Sequence, residues 1–460
     1  MDKTNKTIFI TNFHPFVTKN TLNSGVLDQL AKSARVVIFV FKNKEDYFKN
    51  IYEKGNVLVE GIDLQKETEA YKNRFFARMA EWLLDTNVMR FHKLEALQKV
   101  GRPVKFYLSI VFTKIFGHIS PVRMFVRWLD CKFNNPKSFN VYFEKYRPDV
   151  VFATDIFDDA NLFFLKNASH LGVKTVAMVR SWDNTTSRSY LRFVPDRLIV
   201  HNEIGKKDMI KYHDIDAGRI YPVGIPQFEK YLEVQPTNRE EFCQKMGADI
   251  TKRLVLFTPA GHFFIDTDWQ TCQMLKDLYH EKKIPQDIQF IIRLHPFLPV
   301  DLSRFVPDAN FIIDVPGPAQ PNKLDKDKKE GELDKTFFQH IFDSIHHSSL
   351  VINSISSIII DTAIFDKPLI TINFDGWEDT QKVPLLRSLP KRWRFEENQI
   401  SWMSFGMTPL VKNKEELAEW INKYLDDPSL DRDKRKAFKD AYSWKFDGKA
   451  SERIADICLM

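Results

Sequence analysis

Cysteine, glycine and long apolar runs are all scarce in this chain, and each scarcity excludes something. The four cysteines, Cys131, Cys243, Cys272 and Cys458, show no C-x-x-C spacing and no accompanying histidine cluster. That excludes a disulfide framework and a structural zinc site, and points to a reducing compartment. Only 16 glycines occur among 460 residues that are 43% hydrophobic and 28% charged, which excludes collagen-like and largely disordered chains. No window reaches 18 uninterrupted apolar residues, so no membrane-spanning helix is expected. The best apolar stretch, Phe106 to Phe116, is too short and is followed by polar and basic residues. The first residues lead directly into a strand-like run rather than an apolar signal core. The sequons at Asn5, Asn167 and Asn184 therefore read as chance matches in a cytoplasmic chain.

Charge of one sign is also scarce overall. The formal net charge is only +6, with 67 basic and 61 acidic residues. It is unevenly placed, however. Between Ala70 and Asn135 twelve Lys and Arg stand against four Asp and Glu, so this segment carries +8 and the rest of the chain −2.

What is present is an alternation of short β-branched runs with amphipathic stretches, the pattern of an α/β chain with parallel sheets. Strands are expected at Thr7–Thr11, Arg35–Phe41, Asn56–Glu60, Asp149–Ala153, Lys174–Val179, Arg197–Val200 and Arg219–Val223. Glu67 to Tyr146 is mostly helical by pattern, and it holds the basic segment. Gly224-Ile-Pro then closes one set, and Arg253–Thr258, Asp287–Leu294, Asn310–Asp314, Ser349–Asn353 and Pro368–Asn373 form a second. Helices are expected at Trp269–Glu281, Phe337–His346, Ile358–Phe365, Glu415–Leu425 and Gly448–Leu459, the last opened by Asp447 as a cap. Val315 to Lys335 reads as a solvated loop. The expectation is two doubly wound, Rossmann-like domains: 1–228 with a helical insertion at about 67–146, then 229–436, with 437–460 as a helix returning to the first domain.

Ligands in such sheets bind beyond the carboxyl ends of the strands, and the candidate residues cluster there. In the second domain, Ser354, Ser356 and Ser357 lie between a strand and a helix, where hydroxyls and free amides suit a phosphate. Arg293 and His295 end the strand Phe290-Ile-Ile-Arg-Leu-His and share a face by alternation. Gly261 and His262 follow the strand Arg253–Thr258. Asp266 and Asp268 form an Asp-x-Asp pair that suits a divalent metal, but the helical pattern after them favours a helix start. In the first domain His14 follows the first strand as a candidate general base, with Lys19 and Asn20 next to it. Asp155 and Asp183 follow later strands as candidate catalytic groups, accompanied by Arg180 and Trp182, while Asp158 and Asp159 suit a helix cap.

These features together resemble GT-B glycosyltransferases. The stretch Leu198 to Gly224 is similar to the last N-domain unit of that superfamily. The Arg293-Leu-His-Pro strand end, the Ser-rich turn and the ending Phe446-Asp-Gly-Lys-Ala-Ser-Glu-Arg-Ile454 resemble CDP-glycerol glycerophosphotransferases and related bacterial surface-polysaccharide transferases. The resemblance covers most of 196–460 and is weaker before that. It implies two domains facing across a cleft, with a nucleotide-activated donor (a nucleotide-sugar or a CDP-glycerol-like molecule) as substrate and no cofactor. The donor would lie in the second domain, on Gly261, His262, Arg293, His295, Ser354, Ser356 and Ser357. A glycan or lipid-linked acceptor would meet His14, Asp155 or Asp183. The paired-Glu pattern of many retaining members is absent, which implies inversion; the Gly-rich loop after strand one is absent too.

Val104 to Trp128 interleaves aromatic residues with Lys105, Lys114, Arg123 and Arg127. This suits an anionic membrane surface, with Trp128 as an anchor. No nucleic-acid-binding motif accompanies it. The expected function is a metal-independent transferase at the inner face of the cytoplasmic membrane. The alternatives are a nucleotide-sugar 2-epimerase on the same fold, or a non-catalytic envelope-assembly scaffold.

Overall fold

The computed structural model describes residues 6–262, 264–295, 300–316, 335–376 and 383–460. Most of the expected solvated loop at Val315–Lys335, and Pro296, lie outside these residues. Two compact units divide the chain, the first comprising residues 1–230 and 441–460 and the second 231–440.

The first unit holds a seven-stranded sheet. Its strands are β1 (Lys6–Thr11), β2 (Ala34–Phe41), β3 (Val57–Ile62), β4 (Val150–Ala153), β5 (Lys174–Met178), β6 (Arg197–Val200) and β7 (Ile220–Pro222). They run in the order β3-β2-β1-β4-β5-β6-β7, and every pairing is parallel. Strand alternation sorts the apolar residues onto two faces. Phe9, Val37 and Phe39 pack with Phe143, Phe163 and Phe164 on one side. Ile8, Ile10, Val36 and Ile38 pack with Leu30 and with Ile454, Ile457 and Cys458 of the helix Ala450–Leu459 on the other. Asp447 does not cap that helix, as the sequence suggested. The N-cap is Lys449, with no side-chain bond; Asp447 instead accepts the Lys449 amide at 3.1 Å and pairs with Arg453.

Between β3 and β4 the chain forms helices at Gln65–Glu69, Tyr71–Leu83, Asn87–Val100, Pro103–Phe116, Ser120–Phe133 and Asn140–Tyr146. The two that carry most of the aromatic and basic residues are turned inside out. Pro103–Phe116 buries Ser109 and Thr113, while Val104, Tyr107, Leu108, Val111 and Ile115 are exposed. Ser120–Phe133 buries Arg123, Arg127 and Asp130, while Met124, Phe125 and Trp128 are exposed.

The second unit holds six parallel strands: β8 (Arg253–Thr258), β9 (Ile288–Arg293), β10 (Phe311–Asp314), β11 (Ser348–Asn353), β12 (Leu369–Ile372) and β13 (Leu410–Val411). Their order is β10-β9-β8-β11-β12-β13. In this unit β13, two residues long, and the helices Arg239–Met246, Leu389–Phe395, Glu397–Met403 and Arg432–Tyr442 escape the sequence pattern. In both units the strand order reverses beside the first strand, between β1 and β4 and again between β8 and β11. At such a switch point neighbouring loops diverge and leave a crevice for a ligand.

Candidate active site

In the second unit the loops after β8 and β11 flank that switch point. After β11, the side-chain nitrogen of Asn353 donates to the Ser356 carbonyl at 3.1 Å, and its oxygen takes the Thr258 hydroxyl at 3.2 Å. This fully buried asparagine ties the turn to β8, and the motif reading missed it. Ser356 is half-buried and Ser357 exposed, at the start of the helix Ile358–Ile364. Ser354 is buried within the turn, so the predicted trio reduces to two hydroxyls that reach the surface.

After β8, Gly261 adopts φ +84, the left-handed region that glycine enters at little cost. The amides of Ala260 and Gly261 donate to Asp268 at 3.0 and 2.7 Å. Gly261 thus shapes the loop, and its amide is spent on Asp268 rather than offered to a phosphate. Asp268 is buried, and desolvation pushes its carboxyl up to about 7. It also begins the helix Asp268–His280. Asp266 instead pairs with the exposed His262 at 2.6 Å. The Asp-x-Asp carboxylates therefore serve separate partners. Among the described residues no group of three or more His, Cys, Asp or Glu is arranged to hold a metal ion.

Arg293 lies within the strand ends of the sheet. It is 4% exposed, and its Nη1 donates to Asp314 of the neighbouring strand β10 at 2.6 Å. Asp314 also takes His340 at 2.9 Å. On another side, the Tyr231 hydroxyl donates to Asp361 at 2.5 Å, and both groups add to the field at Arg293. A guanidinium so enclosed neutralises buried carboxylates and holds the strand ends. His295, two residues on, is half-buried at the strand end.

In the first unit three loops converge. His14 follows β1, Asp155 follows β4, and Arg180 and Asp183 follow β5. Asp155 is buried and forms a 2.9 Å ion pair with Arg180. Burial raises its pKa, against the pull of Arg180. Asp183 accepts from the Ser181 hydroxyl. Asn20 donates to the Arg180 carbonyl at 3.3 Å. His14 has its pKa lowered to about 4 by burial first, then by the charges of Arg180 and Lys44. It is therefore neutral near pH 7 and able to accept a proton. Asp155 is held in this pair between the loops that follow β4 and β5. Asp158 caps the helix Asp159–His170 by accepting the Ala160 and Asn161 amides at 3.1 and 3.3 Å.

The basic segment divides in two. Arg123 and Arg127, expected at a membrane or acceptor surface, point inward. Arg123 pairs with Asp214 at 2.6 Å, and Arg127 donates to the His213 carbonyl at 2.6 Å with its guanidinium over the Tyr190 ring. Asp130 on the same face takes Lys166 and Arg192 at 2.6 and 2.7 Å. Lys105, Lys114 and Trp128 are exposed.

Two parallel α/β sheets, each with polar side chains at the carboxyl ends of its strands, define the GT-B type fold. The chain belongs to the CDP-glycerol:poly(glycerophosphate) glycerophosphotransferase family, which it matches over residues 167–459, more than half its length. It is accordingly an enzyme that takes a nucleotide-activated donor. Among solved structures it is similar to the UDP-GlcNAc 2-epimerase from Neisseria meningitidis, at 11% identity and a TM-score of 0.55 over 99% of both chains. It is also similar to the UDP-GlcNAc 2-epimerase from Methanocaldococcus jannaschii, at 14% identity and 0.51 over 98% of this chain and 99% of that one. The wall teichoic acid polymerase TagF aligns at 13% identity and 0.48 over 100% of this chain and 89% of that one. A search of curated proteins finds no match.

Proposed function

We infer that this protein transfers glycerol phosphate, or a sugar, from a nucleotide diphosphate donor of the CDP-glycerol type to a hydroxyl of a surface-glycan or lipid-linked acceptor. The observation that carries this reading is that the family match spans both the Ser356–Ser357 turn and the strand ending in His295. In glycerol phosphate transfer the acceptor oxygen bonds to the glycerol-bearing phosphorus. The bond from that phosphorus to the bridging oxygen breaks, and the nucleoside monophosphate leaves. The acceptor proton passes to His14, which is neutral at working pH. His295, Ser356 and Ser357 meet the charge developing on the phosphates. Asp155 and Arg180 hold the loops around His14. With Asp266 and Asp268 bound elsewhere, no metal clamp is invoked; if a sugar is moved, inversion is the course proposed.

The acceptor end of the reaction is proposed to work at an anionic bilayer. Two consecutive helices that bury Ser, Thr, Arg and Asp while exposing Val, Leu, Ile, Phe and Trp are costly in water. Their outer faces carry Lys105, Lys114 and Lys132, and the Lys132 ammonium lies 4.7 Å from the Trp128 ring centre. Apolar and aromatic groups ringed by lysine suit an interfacial helix pair on anionic lipid, each lysine adding about 1 kcal/mol near the surface. Among the described residues no helix is long and apolar enough to cross a membrane.

The test is nucleotide titration with CDP, CMP and UDP on the unaltered protein and on His295→Ala and Ser356→Ala. Weakened CDP binding in both variants is expected, and unchanged affinity in both overturns the donor site. Product analysis without acceptor separates transfer from epimerisation, since a transferase leaves its donor sugar unisomerised.

A further inference from the structure

The second unit holds a cavity of about 470 Å³ that the proposed chemistry does not use. It opens at the amino ends of β11 and β12, whereas the donor turn sits at the carboxyl end of β11. Six residues of strand, about 20 Å, separate the two.

Its lining is basic. Arg239, Lys367 and Arg432 converge there, with His346 and His347 beside them and Asp366 as the one carboxylate in the wall. Asp366 is already engaged, by Arg432 at 2.8 Å and Arg435 at 2.9 Å. Lys367 and Arg239 have no carboxylate partner among the described residues. They donate only to main-chain carbonyls: Lys367 to His346 at 2.7 Å, Arg239 to His347 at 3.2 Å and to Lys252 at 2.6 Å. Capping the carboxyl end of the helix Lys335–His346 accounts for part of this, but a helix end supplies only about half an elementary charge. Each cation also raises the potential at the other, and the half-buried ammonium of Lys367 is depressed in pKa by burial first and then by Arg239.

Two like charges held side by side and half out of water, with only Asp366 nearby and that carboxylate already shared with Arg432 and Arg435, cost free energy that a bound anion recovers. Lys367 keeps two N–H donors for such a ligand, and the Ser348 and Ser349 segment completes the wall. The volume exceeds that of a single phosphate and admits an ester of it. We propose that this cavity is a second anion site, separate from the donor turn, that takes a phosphate ester.

Residue-resolved protection tests it without reliance on the donor site. Reductive methylation of the full chain, read by mass spectrometry, should label Lys367 at least tenfold more slowly in saturating pyrophosphate or sn-glycerol 3-phosphate, with the exposed Lys105 unaffected. By calorimetry, Lys367→Met and Arg239→Gln should each weaken sn-glycerol 3-phosphate binding at least tenfold and leave CDP affinity unchanged. Equal labelling of Lys367 with and without these anions, or unaltered binding in both variants, overturns the proposal. If a variant fails to fold, protection of the unaltered chain decides. Comparing the monoester with glycerophosphoglycerol then shows whether a free ester or a polymer phosphodiester is preferred. Loss of CDP binding in Ser356→Ala with Lys367 still protected would separate the two sites.

Discussion

Arg180 and Asp155 form a buried ion pair at 2.9 Å, joining the loops that follow β5 and β4. The same guanidinium acts on His14, after β1, and with burial keeps its imidazole neutral down to about pH 4. After burial, the charge of this guanidinium is the larger of the two that keep the proposed base neutral.

His14→Gln should therefore lower kcat by about 10²–10⁴-fold, the range of a lost general base, with little change in donor affinity. Steady-state kinetics with a CDP-glycerol-type donor check this. In Arg180→Gln, the His14 midpoint followed by NMR should rise from about 4 toward 6.5; an unmoved midpoint would deny the guanidinium its role.

Acid should destabilise the first unit before it protonates exposed carboxylates. His201 and His213 are buried, each with its pKa lowered to about 4 by desolvation. The unfolded chain binds these protons near 6.5, so their contribution is complete above that pH and is lost as pH falls toward 4. Melting temperatures recorded between pH 7.5 and 4.5 should fall, and His201→Gln should flatten the slope.

Asp268 has the opposite sign. Its folded pKa is raised to about 7 against 3.8 in the unfolded chain. Its contribution is complete below 3.8 and is lost as pH rises to 7. Asp268→Asn should remove this dependence from denaturant unfolding of the full chain across pH 5 to 8, and should disturb the Gly261 loop enough to weaken donor binding.

Arg293→Ala should leave the Asp314 carboxylate buried without its closest cation, costing about 3–5 kcal/mol. Urea unfolding measures it. Arg293→Lys should recover part of that loss, because a point charge at the same place still neutralises Asp314. If Arg293 instead gripped the donor, stability would hold and only nucleotide affinity would fall.

The two faces of Ser120–Phe133 should separate cleanly. Phe125→Ser with Trp128→Ser should abolish flotation with anionic liposomes while leaving the melting temperature and CDP affinity intact. Arg127→Ala should lower the melting temperature, because it removes the cation that stacks on Tyr190 and binds the His213 carbonyl.

Much of this was legible in the chain. The apolar runs marked twelve of thirteen strands, since strands buried on both faces must be almost wholly apolar. The thirteenth, Leu410–Val411, is too short to carry a period. The position of the candidate residues was readable to the level of loops: His14, Asp155 and Asp183 follow strands of one sheet, and His295, Ser356 and Ser357 follow strands of the other. The roles within the loops were not readable. Asn353 and Asp268 look like ordinary strand-end and helix-start residues, and only their bonds to the Ser356 carbonyl and the Gly261 amide mark them.

The sequence by itself determined the alternation, the two units and the residues that share a helix face. Arg123, Arg127 and Asp130 lie at i, i+4 and i+7, and Met124, Phe125 and Trp128 lie on the opposite side. Which face meets the protein was decided only by the tertiary structure. Periodicity sets the angle between side chains about a helix axis, but not the direction in which the helix is turned. That direction depended on Lys166, Arg192 and Asp214, distant in sequence, which the folded chain brings up against the charged face and which make its burial affordable.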